Sequence, residues 1–145
     1  MKNIYLLDTN IISQVTRPQP NEKLLSNMEL HHGTCAISSI TWFELLKGVG
    51  LLEEGRKKEK LTSFIMDYLA PSFEIIPYDQ HAASVNAQLV SKLIPLGKAT
   101  PILDTQIASV AIANNLILVT QNTKDFKIFS EVGNLMMEDW TKDDL

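Results

Sequence analysis

The sequence predicts an α/β domain built on a mainly parallel sheet of four to five strands. Three observations carry this. Short apolar runs without polar alternation, the kind buried on both faces of a sheet, recur along the chain. Between them lie segments with helical apolar spacing. The two kinds alternate throughout, the order that right-handed crossovers between parallel strands produce. The 145 residues, 45% of them hydrophobic, suffice for one domain with a core of its own, without metal or disulfide staples. No linker, repeat or low-complexity tract divides residues 1–145.

The elements follow in order. "KNIYLL" (2–7) reads as a buried first strand, and "TNIISQVT" (9–16) as a short helix stopped by Pro18 and Pro20. "NEKLLSNMELHH" (21–32) has helical spacing with Asn21 as its cap, and "TCAISSI" (34–40) is a second buried strand. "TWFELLKGVGLLEEG" (41–55) is helical and loosens at its glycines. "RKKEKLTSFIMDYLA" (56–70) is a long amphipathic helix expected to end before Pro71. "FEIIPY" (73–78) is a third strand, "DQHAASVNAQLVSKLI" (79–94) a helix capped by Asp79, and "PLGKATP" (95–101) a loop. "ILDTQIASVAIANN" (102–115) is small and apolar all round, which places it centrally. "LILVTQN" (116–122) is a fourth strand, "TKDFKIFS" (123–130) a loop or short helix, and "NLMMEDW" (134–140) holds a short last strand. From about residue 138 the charged segment "EDWTKDDL" is expected to fray.

Composition narrows the function classes. The net charge of −4 argues against nucleic acid as a partner, but its distribution softens the argument. Residues 131–145 carry five acidic and one basic side chain, which leaves twelve of each sign in residues 1–130. The cluster "GRKKEK" (Arg56, Lys57, Lys58, Lys60) reads as a solvated helix face that could also meet phosphate. The single cysteine, Cys35, lies in an apolar segment and reads as a buried, reduced thiol, in keeping with a cytoplasmic location. No signal peptide is expected, since residues 1–7 hold one lysine and too short an apolar run, and no apolar run approaches the roughly 20 residues of a membrane span. His31 and His32, at a helix end, read as solvated, and Trp42 and Phe43 as mostly buried.

"IYLLDTN" raises the functional question, because a fully apolar strand runs straight into Asp8, Thr9 and Asn10. Asp8 can cap the next helix. It also stands at the carboxyl end of a strand, where open parallel sheets bind ligands. Glu44 follows the second strand in the same way, although Thr41 to Glu44 also fits an S/T-x-x-E capping box. Asp104 opens the apolar central helix, where a carboxylate suits the helix dipole, yet Ile102, Leu103, Ile107 and Ala108 around it suggest an embedded acid. The fourth strand ends in Thr120 and Asn122, with Asp125 following. Together these place several acids at one end of one sheet. Such acids raise each other's pKa values and are tolerable if a cation joins them. Oxygen donors without paired histidine or cysteine favour Mg²⁺ or Mn²⁺ over zinc, and such ions serve phosphoryl chemistry.

Competing motifs fail. There is no G-x-x-x-x-G-K-[ST] loop and no G-x-S-x-G elbow. "GVGLLEEG" (Gly48, Gly50, Gly55) follows a helix and has the wrong spacing for a dinucleotide loop. A phosphoaspartate hydrolase would want an acid where Asn10 stands.

"LLDTNIIS", "SSITWFELLKGVGLLEEGRK", "ILDTQIASVAIANNLILVTQNTKDF" and "EDW", in that order, resemble PIN-domain proteins, and more closely the VapC/FitB type of toxin ribonuclease. The resemblance implies a PIN-like three-layer α/β/α fold. It implies that Asp8, Glu44 and Asp104 ligate Mg²⁺ or Mn²⁺, with Asn122 at the fourth catalytic position, where an acid often stands. This departure makes one metal the expectation rather than two, and leaves Asp125 as a possible additional acid. Thr9, Asn10 and Thr120 match polar residues that support such a site. The implied activity is metal-dependent endoribonuclease hydrolysis of RNA. The implied partners are an RNA substrate, a small cognate antitoxin and a second copy of the chain. Two other readings stand beside it. One is the same fold with a degenerate site, acting as a binding module through protein or RNA contacts, which Asn122 favours. The other is a 5′ nuclease on DNA, disfavoured because the chain has no insertions that would grip a duplex.

Overall fold

In a computed structural model that describes residues 2–142, five strands form one all-parallel sheet in the order β3-β2-β1-β4-β5. The strands are β1 (Tyr5–Leu7), β2 (Cys35–Ser38), β3 (Glu74–Ile76), β4 (Ile117–Val119) and β5 (Met137–Glu138). Successive side chains on each strand enter different cores, which is why the strands read as unbroken apolar runs. Leu6, Ala36, Ile76 and Leu118 face one side, packed under α6 (Gln80–Leu93), α7 (Ile102–Ala113) and α8 (Thr123–Gly133). Leu7, Cys35, Ile37 and Val119 face the other, under α1 (Thr9–Val15) and α2 (Glu22–Leu30). The result is the expected three-layer α/β/α arrangement.

The chain begins in the middle of the sheet, builds outward through β2 and β3, then crosses back to add β4 on the other side of β1. The order therefore reverses between β1 and β4, and their carboxyl ends flank a switch point. The ladder Tyr5↔Ile117 to Leu7↔Val119 is extended by Asp8, whose N–H donates to the Val119 carbonyl at 2.9 Å. The central helix α7 is buried over most of its length, as its composition predicts.

Several expectations are corrected. α3 spans Ser39–Gly50 and starts two residues early, because Ser38 rather than Thr41 caps it: the Thr41 N–H donates to Ser38 Oγ at 3.1 Å. The capping box around Glu44 is therefore not formed. α4 (Arg56–Ser63) passes into a π-helical stretch, Phe64–Leu69, and a closing turn α5 (Ala70–Ser72) that runs through Pro71. In the wider π turn the Ala70 N–H reaches back to the Ile65 carbonyl. A chain already in that register tolerates a proline that would clash in an α-helix. Part of the expected loop at 95–101 is a 3₁₀ turn, Ile94–Leu96. "TKDFKIFS" belongs to the eleven-residue α8, anchored by buried Phe126 and Phe129.

The expected fraying from residue 138 is not what residues 138–142 do. Trp140 is 3% exposed and packs on Tyr5 and His31, with ring centroids 4.8 and 4.9 Å away. Its carbonyl and that of Thr141 accept from Asn27 and Asn21. The remainder of that segment, 143–145, lies outside the described residues. His31 is thus half-buried in an aromatic stack rather than solvated. Phe43 is 49% exposed and Trp42 half-buried, since α3 cannot turn two adjacent aromatics into one core. Cys35 is buried, as expected, and burial pushes its thiol up to about 11. Among the described residues no helix is long and apolar enough to cross a membrane.

Candidate functional site

Asp8 leaves β1 as the N-cap of α1, so the capping reading holds in its geometry: Oδ1 accepts from the Thr9 N–H at 2.8 Å. The cap does not use the rest of the carboxylate. Oδ2 accepts from Asn10 Nδ2 at 2.7 Å and from Thr120 Oγ1 at 2.8 Å. Thr120 follows β4 directly, so the switch point itself brings the two together. Asn10 closes the bridge, its Oδ1 accepting from the Gln121 N–H at 3.1 Å. Asp8 is only 4% exposed.

Glu44, on the first turns of α3, is tied to α1 instead of capping its own helix. Thr9 Oγ1 donates to Glu44 Oε1 at 2.7 Å and lies 3.1 Å from Thr41 Oγ1. Thr41 is fully buried, and the sequence offered it only as a cap; a hydroxyl in a strand-to-helix turn was its one signal. Asp104, in the first turn of α7, is half-buried, less embedded than its neighbours suggest because Ile102 points outward at 74% exposure.

The acids act on one another. Burial pushes the Asp8 carboxyl from 3.8 to about 6; the Thr120 and Thr9 hydrogen bonds oppose this, and the charges of Asp104 and Glu44 add to it. Asp104 is raised by burial, then by Glu44 and Asp125. Among the described residues no cationic side chain lowers either one. Asn122 and Asp125 are both exposed at the start of α8. The Asn122 N–H donates to Thr120 Oγ1 at 3.0 Å, and its side chain caps nothing. Asp125 reaches the cluster through its charge on Asp104.

The donor set is all oxygen, the chemistry that hard divalent cations take. Among the described residues, no three His, Cys, Asp or Glu side chains stand as a ready-made ligand group. What the fold supplies is three carboxylates on separate elements, within electrostatic reach of one another and, among the described residues, without a compensating cationic side chain.

The chain belongs to the PIN-domain family, whose model, described as "PIN domain", matches residues 5–133. Within that family it is similar to the Toxin FitB of Neisseria gonorrhoeae, 37% identical over 83% of this chain and 89% of that one. It is also 37% identical to Ribonuclease VapC2 of Rickettsia felis, over 96% and 99% of the two chains. Its fold matches the crystal structure of VapBC2 from Rickettsia felis bound to a DNA fragment from their promoter, with a TM-score of 0.80, 35% identity and coverage of 94% and 98%.

Proposed function

We propose that this protein is a metal-dependent endoribonuclease, the toxin of a toxin–antitoxin pair in the cytoplasm. The observation that carries the reading is the grouping of Asp8, Glu44 and Asp104, with Asp8 and Asp104 pushed toward protonation by burial and then by the neighbouring carboxylates. Asp8, Glu44 and Asp104 would hold Mg²⁺ or Mn²⁺, with Asn122 or Asp125 at the outer edge. An ionised carboxylate offers about four acceptor sites. Asp8 uses three, which leaves one on Oδ1. A bound divalent cation supplies Lewis acidity toward phosphodiester oxygens and toward water. The chain's own part is orientation. Asn10 and Thr120 fix the plane of the Asp8 carboxylate, and Thr9 holds Glu44 toward it, as outer hydrogen bonds do at metal sites.

RNA as substrate is supported by the name of the Rickettsia felis relative, and the toxin role by that of the Neisseria protein. A partner antitoxin is supported by the VapBC2 complex. A homodimer is supported by the family resemblance and by exposed Ile94 and Ile102, which line one surface hollow beside the start of α7. The test is cleavage of total cellular RNA by purified, antitoxin-free protein with Mg²⁺, Mn²⁺ or EDTA, wild type beside Asp8→Asn. Discrete fragments that need metal and vanish in the variant are expected. A folded wild type that cleaves nothing and binds no metal by calorimetry sinks the reading in favour of a binding module.

A further inference from the structure

We propose that Arg17, Arg56, Lys57 and Lys60 form a phosphate-gripping track that leads single-stranded RNA to Asp8 and Glu44. The proposal rests on the ribonuclease reading and adds where the strand lies. All four side chains are exposed, and with Thr16 and Leu61 they line one depression of about 540 Å³ between the end of α1 and the start of α4. A second hollow, of about 220 Å³ and with mainly apolar walls, shares Thr16, Lys57 and Leu61 with the first and extends to Thr9 and Glu44. The cations and Glu44 thus lie at opposite ends of one path.

Among the described residues nothing uses these charges. Among the described residues none of the four makes an ion pair or a side-chain hydrogen bond, whereas the adjacent Lys58 is paired with Glu54 at 2.7 Å. Arg56 and Lys57 also open α4, the end of a helix whose dipole disfavours cations, and no side chain caps that end. Four unneutralised cations converging on one hollow, in a chain of net charge −4, match a polyanion. The path's far end opens on Glu44, one of the three acids of the proposed ribonuclease site, and on that reading the polyanion drawn there is RNA rather than an acidic protein segment. From Thr9 to Val15, α1 rises roughly 9 Å, and Arg17 lies two residues beyond its end. The grip therefore falls a few nucleotides from the acids, where it holds the strand without touching the bond to be cut.

The test is the salt dependence of oligouridylate binding in EDTA, which separates binding from cleavage. Wild type is compared with Arg17→Gln/Arg56→Gln/Lys57→Gln/Lys60→Gln, with thermal melting to check the fold of these surface variants. Each phosphate contact to a single strand contributes about 0.7 to the slope of log K against log salt, so the quadruple variant is expected to be shallower by about 3. In cleavage assays it raises KM for RNA and leaves kcat near wild type. An unchanged slope with wild-type cleavage intact overturns the track and spares the ribonuclease. Neither binding nor cleavage by folded wild type overturns both. Weakened antitoxin binding with an unchanged RNA slope assigns the patch to the protein partner and overturns the track.

Discussion

Asp8→Asn should stabilise the metal-free protein at neutral pH while abolishing its activity. Asp8 is almost fully buried, and its carboxyl is pushed from 3.8 to about 6. A folded-state value above the unfolded one means that the folded protein binds the proton more tightly. The stability contributed by that proton is fully present below pH 4 and is lost as pH rises through 6. The difference between the two values corresponds to about 3 kcal/mol. At pH 7.5 the wild type lacks that contribution and the asparagine variant, being neutral, does not incur the penalty. Against this, the new amide N–H₂ faces donors that the carboxylate satisfied, from Asn10 and Thr120 on one oxygen or Thr9 on the other. Leaving one such group unmatched costs about 1–2 kcal/mol. The net expectation is about 1–2 kcal/mol of stabilisation at pH 7.5, a melting point higher by roughly 3–6 °C. At pH 4 the wild type is largely protonated and the sign reverses, so the variant melts lower. The assay is thermal or urea unfolding of both proteins in EDTA from pH 4 to 8. A difference in stability that stays constant across this range refutes the assignment of a buried, proton-hungry carboxylate to Asp8.

Two further outcomes are expected. Trp140→Ala removes a buried ring from the stack with Tyr5 and His31 and should destabilise by about 3–5 kcal/mol, read by urea unfolding; a loss under 1 kcal/mol would mean that the segment is loose. Thr9→Val removes the hydroxyl that holds Glu44 and should cost about 1 kcal/mol of stability. It should lower kcat more than it raises KM, and Thr9→Ser should restore it.

The carboxyl-end acids were legible because a buried parallel strand leaves an unmistakable signature when it stops: "YLLD" and "LVT" go from fully apolar to polar in one residue, and the fold rule does the rest. The role of Glu44 was ambiguous because "SSIT" offers three hydroxyl residues as caps, and only packing selects Ser38. Once it does, Glu44 is free to meet Thr9. α8 was half-legible because Phe126 and Phe129 sit among charged residues and a loop composition masks their spacing. The end of the chain misled for the opposite reason. Its composition is that of a solvated tail, and the partners that bury Trp140 lie on β1 and at the end of α2, too distant in sequence for any local pattern to register. The basic hollow divides in the same way. "GRKKEK" is visible as a run, but Arg17 joins it only through tertiary contact.

The placement of β1 at the centre of the sheet sets a timetable for manufacture. Chains leave the ribosome amino end first. The strand that carries Asp8 is therefore made long before its second neighbour, β4. The Thr120 hydroxyl that grips Asp8 stands 112 positions further along. A partly synthesised chain owns Asp8 and Glu44 from an early stage but has neither Asp104 nor the β1–β4 seam that brings them into register. For the proposed ribonuclease, that order of assembly is a safeguard: a chain abandoned before β4 is an inert fragment, and the site comes together only once β4 has been made.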